Sequence, residues 1–270
     1  MAAVILVRGG GDLASGVILR LHRAGLKVLV SELPQPLAVR RAVSFGEAVY
    51  EGQIKVEGVT ARLVERGQVQ AVLDAGEIPV IIDPDASILA EIPIPIAVDG
   101  RLTKHPPAPL PVTVALHIGL GPGFHAGRNC HAVIETRRSH TLGRVYWNGP
   151  TQPDSGQPEG DPRRVLRAPI NGQLIAYAQI GDHLDEGTLV AKVQSTSGSR
   201  KSKIISPFKG VLRGLIYPGL HVTAGLKIGD VDSRNNRETC FLVSDKALSI
   251  GGGVLEAILS QGELRTSLWD

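Results

Sequence analysis

The sequence predicts an α/β protein in which a domain with a parallel sheet is followed by an all-β domain. Over the first third of the chain, apolar β-branched runs alternate with helix-period segments, a pattern typical of βαβ units. Near residue 148 the stretch NGPTQPDSGQPEGDPRR holds four prolines and three glycines, which indicates a linker. Beyond it, turn glycines repeat at a constant offset of 38 residues, which indicates paired β units.

The first domain, residues 1–150, begins with the predicted order strand, helix, strand. Residues 4–7 form the first strand, a helix stripe follows and stops at Gly25, and residues 27–33 form the second strand. Pro34 and Pro36 then open a predicted helix that contains Arg40 and Arg41. Further strands are predicted at residues 79–82, 94–98, 112–118 and 131–136.

The second domain, residues 163–234, contains the repeat. APINGQLIAYAQIGDHLDEG from Ala168 aligns without gaps with SPFKGVLRGLIYPGLHVTAG from Ser206. Neither unit could bury its apolar face alone, so we expect the two to pack on each other. This pattern resembles the barrel-sandwich fold of biotinyl and lipoyl carrier domains. The sequence therefore predicts a Rossmann-like parallel-sheet domain joined to a barrel-sandwich domain.

No covalent biotin or lipoate is expected on this domain. The hairpin where those carriers hold their lysine reads QSTSGSRKSKIIS, with no methionine beside a lysine and with Ser197 or Ser199 near the expected place. Lys201 and Lys203 are interpreted as solvated charges. The tail, residues 235–270, is predicted to form a strand at 240–243 and a helix at 247–259 broken by Gly251, Gly252 and Gly253, and to pack back on the first domain.

Composition narrows the functional classes. The net charge is +3 from 29 basic and 26 acidic residues, and aromatic residues make up 4% of the chain, so nucleic acid is not the expected partner. No stretch reaches the roughly 20 apolar residues of a membrane helix. Two cysteines do not make a disulfide framework. We expect a reduced, cytoplasmic protein without a membrane partner, and homo-oligomerisation stays open.

The first predicted turn carries the strongest motif. Gly9, Gly11 and Ala14 fit the dinucleotide fingerprint G-x-G-x-x-A between a strand and a helix, and Glu32 lies at the end of the next strand, where an acid binds ribose hydroxyls. Gly9, Gly10, Gly11, Asp12 and Glu32 are therefore predicted cofactor-binding residues, with a phosphate on the glycines. The alternative is that the glycines only allow a tight turn.

Other strand ends are predicted to face the same crevice. Asp99 ends one strand with Lys104 close behind, and the loop GLGPG, with Gly119, Gly121 and Gly123, ends another. A turn shaped by proline explains GLGPG equally well.

Two further groups of residues are candidates for ligand or metal binding. Arg40 is a predicted anion clamp, with a solvated helix face as the alternative. Cys130, His131, Glu135 and His140 cluster in NCHAVIETRRSH, but their spacing matches no zinc pattern, so no metal site is predicted.

Several segments together resemble one family: RGGGDLASG, RRAVSFGEAVYEG, GLGPGFHAG, IETRRSHTLGR, KIGDVDSR and SDKALSIGGGVLEAIL. They are similar to accessory proteins of selenium-dependent molybdenum hydroxylase systems, related to xanthine dehydrogenase accessory proteins. The resemblance implies binding of the molybdenum cofactor, a pterin, and help with its sulfur or selenium modification and insertion. The implied partners are an apo-molybdenum hydroxylase and a sulfur or selenium donor protein.

Two other functions stay open at this stage. An NAD(P)-dependent oxidoreductase would use the same glycine loop, and a non-catalytic scaffold would use it only as a turn. No catalytic residue can be assigned from the sequence, which also leaves open whether the chain is an enzyme.

Overall fold

The computed structural model describes residues 3–156, 160–196, 198 and 200–269. Ser197 and Ser199 of the carrier-like hairpin lie outside the described residues. The chain forms two units: unit 1 comprises Met1–Pro36, Phe45–Ser155 and Val243–Asp270, and unit 2 comprises Leu37–Ser44 and Gly156–Leu242. The short segment 37–44 thus belongs with the all-β part of the chain, and the C-terminal tail belongs with the α/β part.

The strands of unit 1 alternate with helices only in its first part. They are, in chain order, β1 (Val4–Arg8), β2 (Lys27–Glu32), β3 (Gln53–Val56), β4 (Val59–Leu63), β5 (Ile78–Ile82), β6 (Ile96–Asp99), β7 (Leu116–Leu120), β8 (His125–Ala126), β9 (Ala132–Ile134), β10 (Val145–Tyr146) and β11 (Gly149–Pro150).

Nine of these strands form one sheet, in the order β10-β9-β7-β6-β1-β2-β5-β4-β3. The seven inner strands run parallel, whereas β3 pairs antiparallel with β4 and β10 pairs antiparallel with β9. The pair β8 and β11 forms a separate two-stranded sheet.

The predicted Rossmann-like parallel sheet is wrong, because the sheet is mixed: β4 and the antiparallel β3 extend one edge, and the antiparallel β10 forms the other. A sequence pattern identifies strands one at a time, but the pairing at the edges depends on contacts between distant segments. The chain also passes from β6 to β7 and from β7 to β9 without an intervening helix. Helices from other parts of the chain must therefore cover this half of the sheet.

The helices are α1 (Asp12–Arg23), α2 (Ala48–Glu51), α3 (Val69–Asp74), α4 (Asp245–Leu259) and α5 (Gly262–Thr266). No helix forms directly after Pro36; the segment holds only a 3-10 turn at Arg41–Val43. The tail has a 3-10 turn at Glu238–Cys240 in place of the predicted strand. Among the described residues, no helix combines the length and the apolar character that crossing a membrane requires.

Helix α4 runs unbroken through Gly251, Gly252 and Gly253, and it packs directly on α1. A Cβ added to Gly251 would lie 2.6 Å from the carbonyl oxygen of Gly16, and one added to Gly16 would lie 2.5 Å from the carbonyl of Ala247. The glycines therefore allow two helix backbones to approach more closely than side chains permit. This contact places α4 over the part of the sheet that lacks crossover helices, where it also meets β7, β9 and β10.

The described residues of unit 2 form eight strands. They are β12 (Val165–Arg167), β13 (Gly172–Ala176), β14 (His183–Leu184), β15 (Leu189–Gln194), β16 (Lys201–Ile205), β17 (Gly210–Leu215), β18 (His221–Val222) and β19 (Lys227–Asp232).

The repeat is visible in these strands. β13, β14 and β15 begin 38 residues before β17, β18 and β19, respectively. The strands form two four-stranded antiparallel sheets, in the orders β12-β19-β17-β14 and β16-β15-β13-β18, with a shared apolar core. The short strands change places, because β14 pairs with β17 and β18 pairs with β13. The barrel-sandwich part of the fold prediction is also wrong: among the described strands there are two separate sheets, whose pairing the glycine repeat does not specify.

Candidate functional site

The glycine loop joins β1 to α1 and is held mainly by backbone contacts. Gly9 has a φ of +90°, a conformation that favours glycine, and its amide donates to the carbonyl of Ser31 over 2.7 Å. The amide of Gly10 donates to Oε2 of Glu32 over 2.6 Å. One turn of backbone is thus tied to the end of the neighbouring strand β2.

The Gly10 side of the loop is closed by the segment that follows residue 44. The amide of Gly46 donates to the carbonyl of Gly10 over 2.8 Å, and a Cβ on Gly10 would lie 2.8 Å from the Cα of Gly46. Ser15 Oγ donates to the same Gly10 carbonyl and accepts a hydrogen bond from the amide of Phe45. Close packing, rather than an approaching ligand, therefore explains why residue 10 is glycine.

The Gly11 side of the loop is open. Gly11 is the N-cap of the 12-residue helix α1, it provides no side-chain cap, and a Cβ built on it would meet nothing within 4 Å. Its φ of −71° and ψ of 178° suit any residue. Asp12 is the first residue of the helix. The partial positive charge of the helix N-terminus thus lies beside open space.

Two arginines meet one buried carboxylate next to this loop. Arg8 ends β1 and Asp99 ends the adjacent strand β6, and the two residues are register partners. Arg8 Nη1 lies 3.2 Å from Asp99 Oδ2, and Arg101 donates to both oxygens of Asp99 through Nε and Nη2 over 2.9 and 2.6 Å. Arg101 also lies across the loop, since its Cγ is 3.5 Å from the position of a Gly9 Cβ.

The charged groups of this cluster differ in exposure and in the direction of their pKa shifts. The Asp99 side chain is 1% exposed and that of Arg101 is 29% exposed. Burial lowers the pKa of Arg8, whereas the hydrogen bonds to Asp99 raise the pKa of Arg101. Asp85 interacts with both arginines, but it is exposed, so solvent screens its charge.

The cluster retains donor capacity after these contacts. Arg8 Nε is buried and has no hydrogen-bond partner within the described part of the chain. Arg101, whose side chain is partly exposed beside Gly9, is the cation that a ligand could reach.

Glu32 has a structural role that the sequence did not reveal. Its two carboxylate oxygens accept hydrogen bonds from the amides of Gly10 and Leu33. Burial raises the pKa of this carboxyl, and the two amide hydrogen bonds oppose that shift. The carboxylate therefore ties the glycine loop to the end of β2.

Glu32→Gln tests this role through stability. The amide NH2 of glutamine cannot accept a hydrogen bond, so one buried backbone amide loses its acceptor at a cost of about 1–2 kcal/mol. Urea unfolding followed by tryptophan fluorescence should report this loss, since Trp147 and Trp269 both lie in unit 1. If the variant were as stable as the wild type, the two amide hydrogen bonds of Glu32 would not stabilise the loop, and only a ligand-binding role would remain for this residue.

Other predicted site residues lie elsewhere or are engaged locally. Lys104 forms an ion pair with Asp154 over 2.6 Å. Arg40 belongs to unit 2, where its Nη2 donates to the carbonyls of Thr239 and Leu242 over 3.1 and 2.8 Å. Because these bonds span some 200 positions of sequence, no local pattern could reveal that Arg40 fastens two segments of unit 2.

The GLGPG loop is shaped by packing. The ring of Phe124 lies where a side chain on Gly119 would be, and a Cβ on Gly123 would lie 2.7 Å from the carbonyl oxygen of His105. Gly121 has a φ of +82°. These three glycines do not form an open surface like that at Gly11.

The polar side chains near Cys130 accept hydrogen bonds mainly from backbone amides. Burial raises the pKa of Cys130 to about 11, so its thiol is protonated at neutral pH. Glu135 accepts hydrogen bonds from the amides of Arg137 and Gln152. His131 Nδ1 accepts one from the amide of His117. Over the described residues, no group of three histidine, cysteine or acidic side chains is arranged to hold a metal ion.

Sequence reasoning missed Arg8, Arg101 and His117. The positions of Arg8, immediately before the glycines, and Arg101, two residues after Asp99, were available signals. His117 gave no such signal because it lies within β7. It is 9% exposed, its Nε2 has no partner among the described residues, and burial lowers its pKa to about 4.

Fold and site together define a two-unit α/β protein in which Arg8 and Arg101 meet Asp99 at the carboxyl ends of the parallel strands β1 and β6. No family model matches the chain. It is similar to the uncharacterized protein YqeB of Escherichia coli strain K12, with 42% identity over 261 residues and 95% of the chain covered. The chain spans about half, 47%, of the length of that relative. The chain is therefore YqeB-like over nearly all of its own length.

Several solved structures share a distant likeness. A succinylglutamate desuccinylase/aspartoacylase from Rhodobacter sphaeroides is 11% identical, with 85% of this chain and 84% of that one covered, at a TM-score of 0.31. An aspartoacylase family protein from Mesorhizobium loti is 9% identical over 85% and 84% of the two chains, at 0.28. The ectoine utilization protein EutE (DoeB) from Ruegeria pomeroyi is 18% identical over 32% and 28%, at 0.25. TM-scores this low transfer no activity to this chain.

These comparisons correct the functional prediction. The predicted molybdenum hydroxylase accessory factor is not retained, because the curated relative is named only as uncharacterized and the solved structures are too dissimilar to assign an activity. None of these names carries molybdenum, selenium or a Rossmann nucleotide site. The oxidoreductase and scaffold alternatives gain no support from them either. The predicted pterin and NAD(P) cofactors and the predicted protein partners stay predictions, since no comparison tests them.

Proposed function

We propose that unit 1 binds a small anion, a phosphate or carboxylate group of a larger molecule, in the crevice over Gly9 and Gly11. The observation that carries this proposal is the position of Arg101. Its side chain lies across Gly9, partly exposed, beside the uncapped N-terminus of α1. A guanidinium beside Gly9 and a helix N-terminus at Gly11 each favour a negatively charged group at this loop.

The buried part of the cluster supports this role. Asp99 holds Arg101 through two hydrogen bonds, which fixes the direction of the guanidinium before a ligand arrives. Arg8 provides a second cation behind the first, and the two arginines share the one buried carboxylate. Electrostatic preference for an anion therefore arises from side chains held by the ends of β1 and β6.

Substitution at Gly11 tests the proposal without disturbing the fold. Gly11→Asp places a carboxylate at the open helix N-terminus, where aspartate is a favoured cap. Isothermal titration calorimetry with inorganic phosphate, and separately with acetate, should show that this variant binds at least about tenfold more weakly than the wild type, or about 1.4 kcal/mol.

Gly11→Asn is the matched control, because it has the same shape and caps the helix without charge. We expect it to retain more affinity than Gly11→Asp, while Arg101→Gln loses affinity as Gly11→Asp does. Equal binding by Gly11→Asp and Gly11→Asn, or full binding by Arg101→Gln, would contradict an anion site at this loop. The comparison of phosphate with acetate identifies the preferred head group.

A further inference from the structure

The sheet β16-β15-β13-β18 of unit 2 has one apolar face and one basic face. Leu174, Val193, Ile204 and Val222 point into the core of the unit. The alternate positions face solvent. They form two cross-strand rows by register: Ile175, Lys192 and Lys203 in one, and His221, Gln173, Gln194 and Lys201 in the other.

The basic face has no acidic residue of its own. The described strands of this sheet contain Lys192, Lys201 and Lys203 but no aspartate or glutamate, and none of the three lysines has an ion-pair partner among the described residues. The other sheet of the unit differs, because Arg164 and Arg213 both pair with the buried Asp230. Arg164 and Arg213 are thus neutralised by a carboxylate, whereas the three lysines of the sheet β16-β15-β13-β18 have none beside them among the described residues.

Two of these lysines are placed against each other. Lys192 and Lys203 are direct cross-strand partners, an arrangement in which like charges are destabilising. Lysines on the edge strand β16 would serve to prevent edge-to-edge pairing of sheets. Lys192, however, lies on the inner strand β15, where no edge needs protection. Edge protection therefore does not explain the whole set.

We propose that this face and the β16 edge form a docking surface for an extended acidic segment of another protein. β16 ends the sheet and pairs only with β15 among the described strands, so its outer backbone groups can accept one more strand. Lys201 and Lys203 are two residues apart on that strand. They match carboxylates at alternate positions of an added strand, about 6.6–6.8 Å apart.

Apolar groups lie beside the cations. Ile205 is half-exposed at the end of β16, and the ring of Tyr177 lies 4.6 Å from the Nζ of Lys192. A segment in which acidic and apolar side chains alternate would contact both kinds of group. The lysine-bearing edge repels a second copy of itself and accepts a strand of opposite charge, which gives the surface its selectivity.

Fluorescence anisotropy with the full chain tests this surface. The probe is a labelled octapeptide of alternating glutamate and valine, and its glutamine–valine counterpart is the neutral control. We expect Lys192→Gln/Lys203→Gln to weaken binding of the acidic peptide at least tenfold and to have an unchanged or higher melting temperature, because a like-charge pair is removed. Lys192→Glu/Lys203→Glu should bind a lysine–valine octapeptide that the wild type does not bind.

Lys55→Gln/Lys209→Gln is the matched variant, since it removes two exposed lysines that lie outside the strands of this sheet. It should keep the affinity of the wild type. If this variant lost as much affinity for the acidic peptide, net charge alone would explain the effect and the proposal would be overturned. Equal affinity of the wild type for the neutral peptide would overturn it too. The same holds if a single-stranded oligonucleotide bound more tightly than the acidic peptide through the same two lysines.

Discussion

Gly253→Ala is expected to destabilise unit 1 by about 2–3 kcal/mol, because overpacking at a rigid contact cannot be relieved by a side-chain movement. A Cβ at this position would overlap the carbonyl oxygen of Gly143 and lie 3.1 Å from the side chain of Ile134. Both neighbours are held in place, one by a turn closed with a Gly143–Glu135 hydrogen bond and one within β9. Gly251→Ala should have the same sign because of its contact with Gly16.

Gly252→Ala is the internal control for this result. Gly252 is exposed on the same helix and a Cβ there meets nothing within 4 Å, so alanine should stabilise the helix by about 0.8–1.0 kcal/mol. Urea unfolding monitored by tryptophan fluorescence measures both variants in unit 1. Opposite signs at adjacent positions would establish close helix packing; stabilisation by all three alanines would mean that α4 does not pack on α1 and the 143 turn as described.

Acid is expected to destabilise unit 1 through His117. The pKa of this buried imidazole is lowered to about 4, so below pH 6.5 the unfolded chain binds a proton that the folded chain excludes. The contribution of His117 to stability is therefore fully present above pH 6.5 and decreases as the pH falls towards 4. The loss reaches about 3 kcal/mol at pH 4.

His117→Leu should remove this dependence. The variant cannot bind the proton, and it also removes the buried Nε2 that has no partner in the described part of the chain. We expect the difference in unfolding free energy between wild type and variant to shift by about 3 kcal/mol in favour of the variant between pH 7 and pH 4. His140→Gln, at an exposed position, is the control and should follow the wild type. Parallel pH curves for wild type and His117→Leu would show that His117 titrates normally.

Local order was readable from the sequence where a short segment carries its own constraints. The strand before Gly9, the helix that stops at Gly25 and the strand that ends at Glu32 follow from hydrophobic periodicity and glycine alone. The 38-residue spacing likewise appears in the starts of β13 and β17. In contrast, the sequence suggested a helix after Pro36 and a strand at 240–243, but the chain forms 3-10 turns at Arg41–Val43 and Glu238–Cys240 and no strand at 240–243.

The candidate site shows the same division. The sequence indicated the glycine turn and Asp99, because glycines after a strand and an acid at a strand end are local signals. It predicted a ligand role for Glu32, which stays a prediction, and it did not reveal that both oxygens also hold the amides of Gly10 and Leu33. Whether a carboxylate faces a backbone amide or a ligand depends on where the neighbouring strand places the amide, and a linear pattern does not contain that information.

The sequence by itself determined the first strand, the helix and the second strand around the glycine loop. It also determined that a 38-residue repeat forms the second part of the chain. Tertiary structure alone decided the sheet order, the mixed edges, the packing of α4 on α1 and the convergence of Arg8 and Arg101 on Asp99. The physical reason is range. Backbone preference and periodicity act over a few residues. The shared carboxylate joins residues about 90 positions apart, and the close contact between α1 and α4 joins residues more than 200 positions apart.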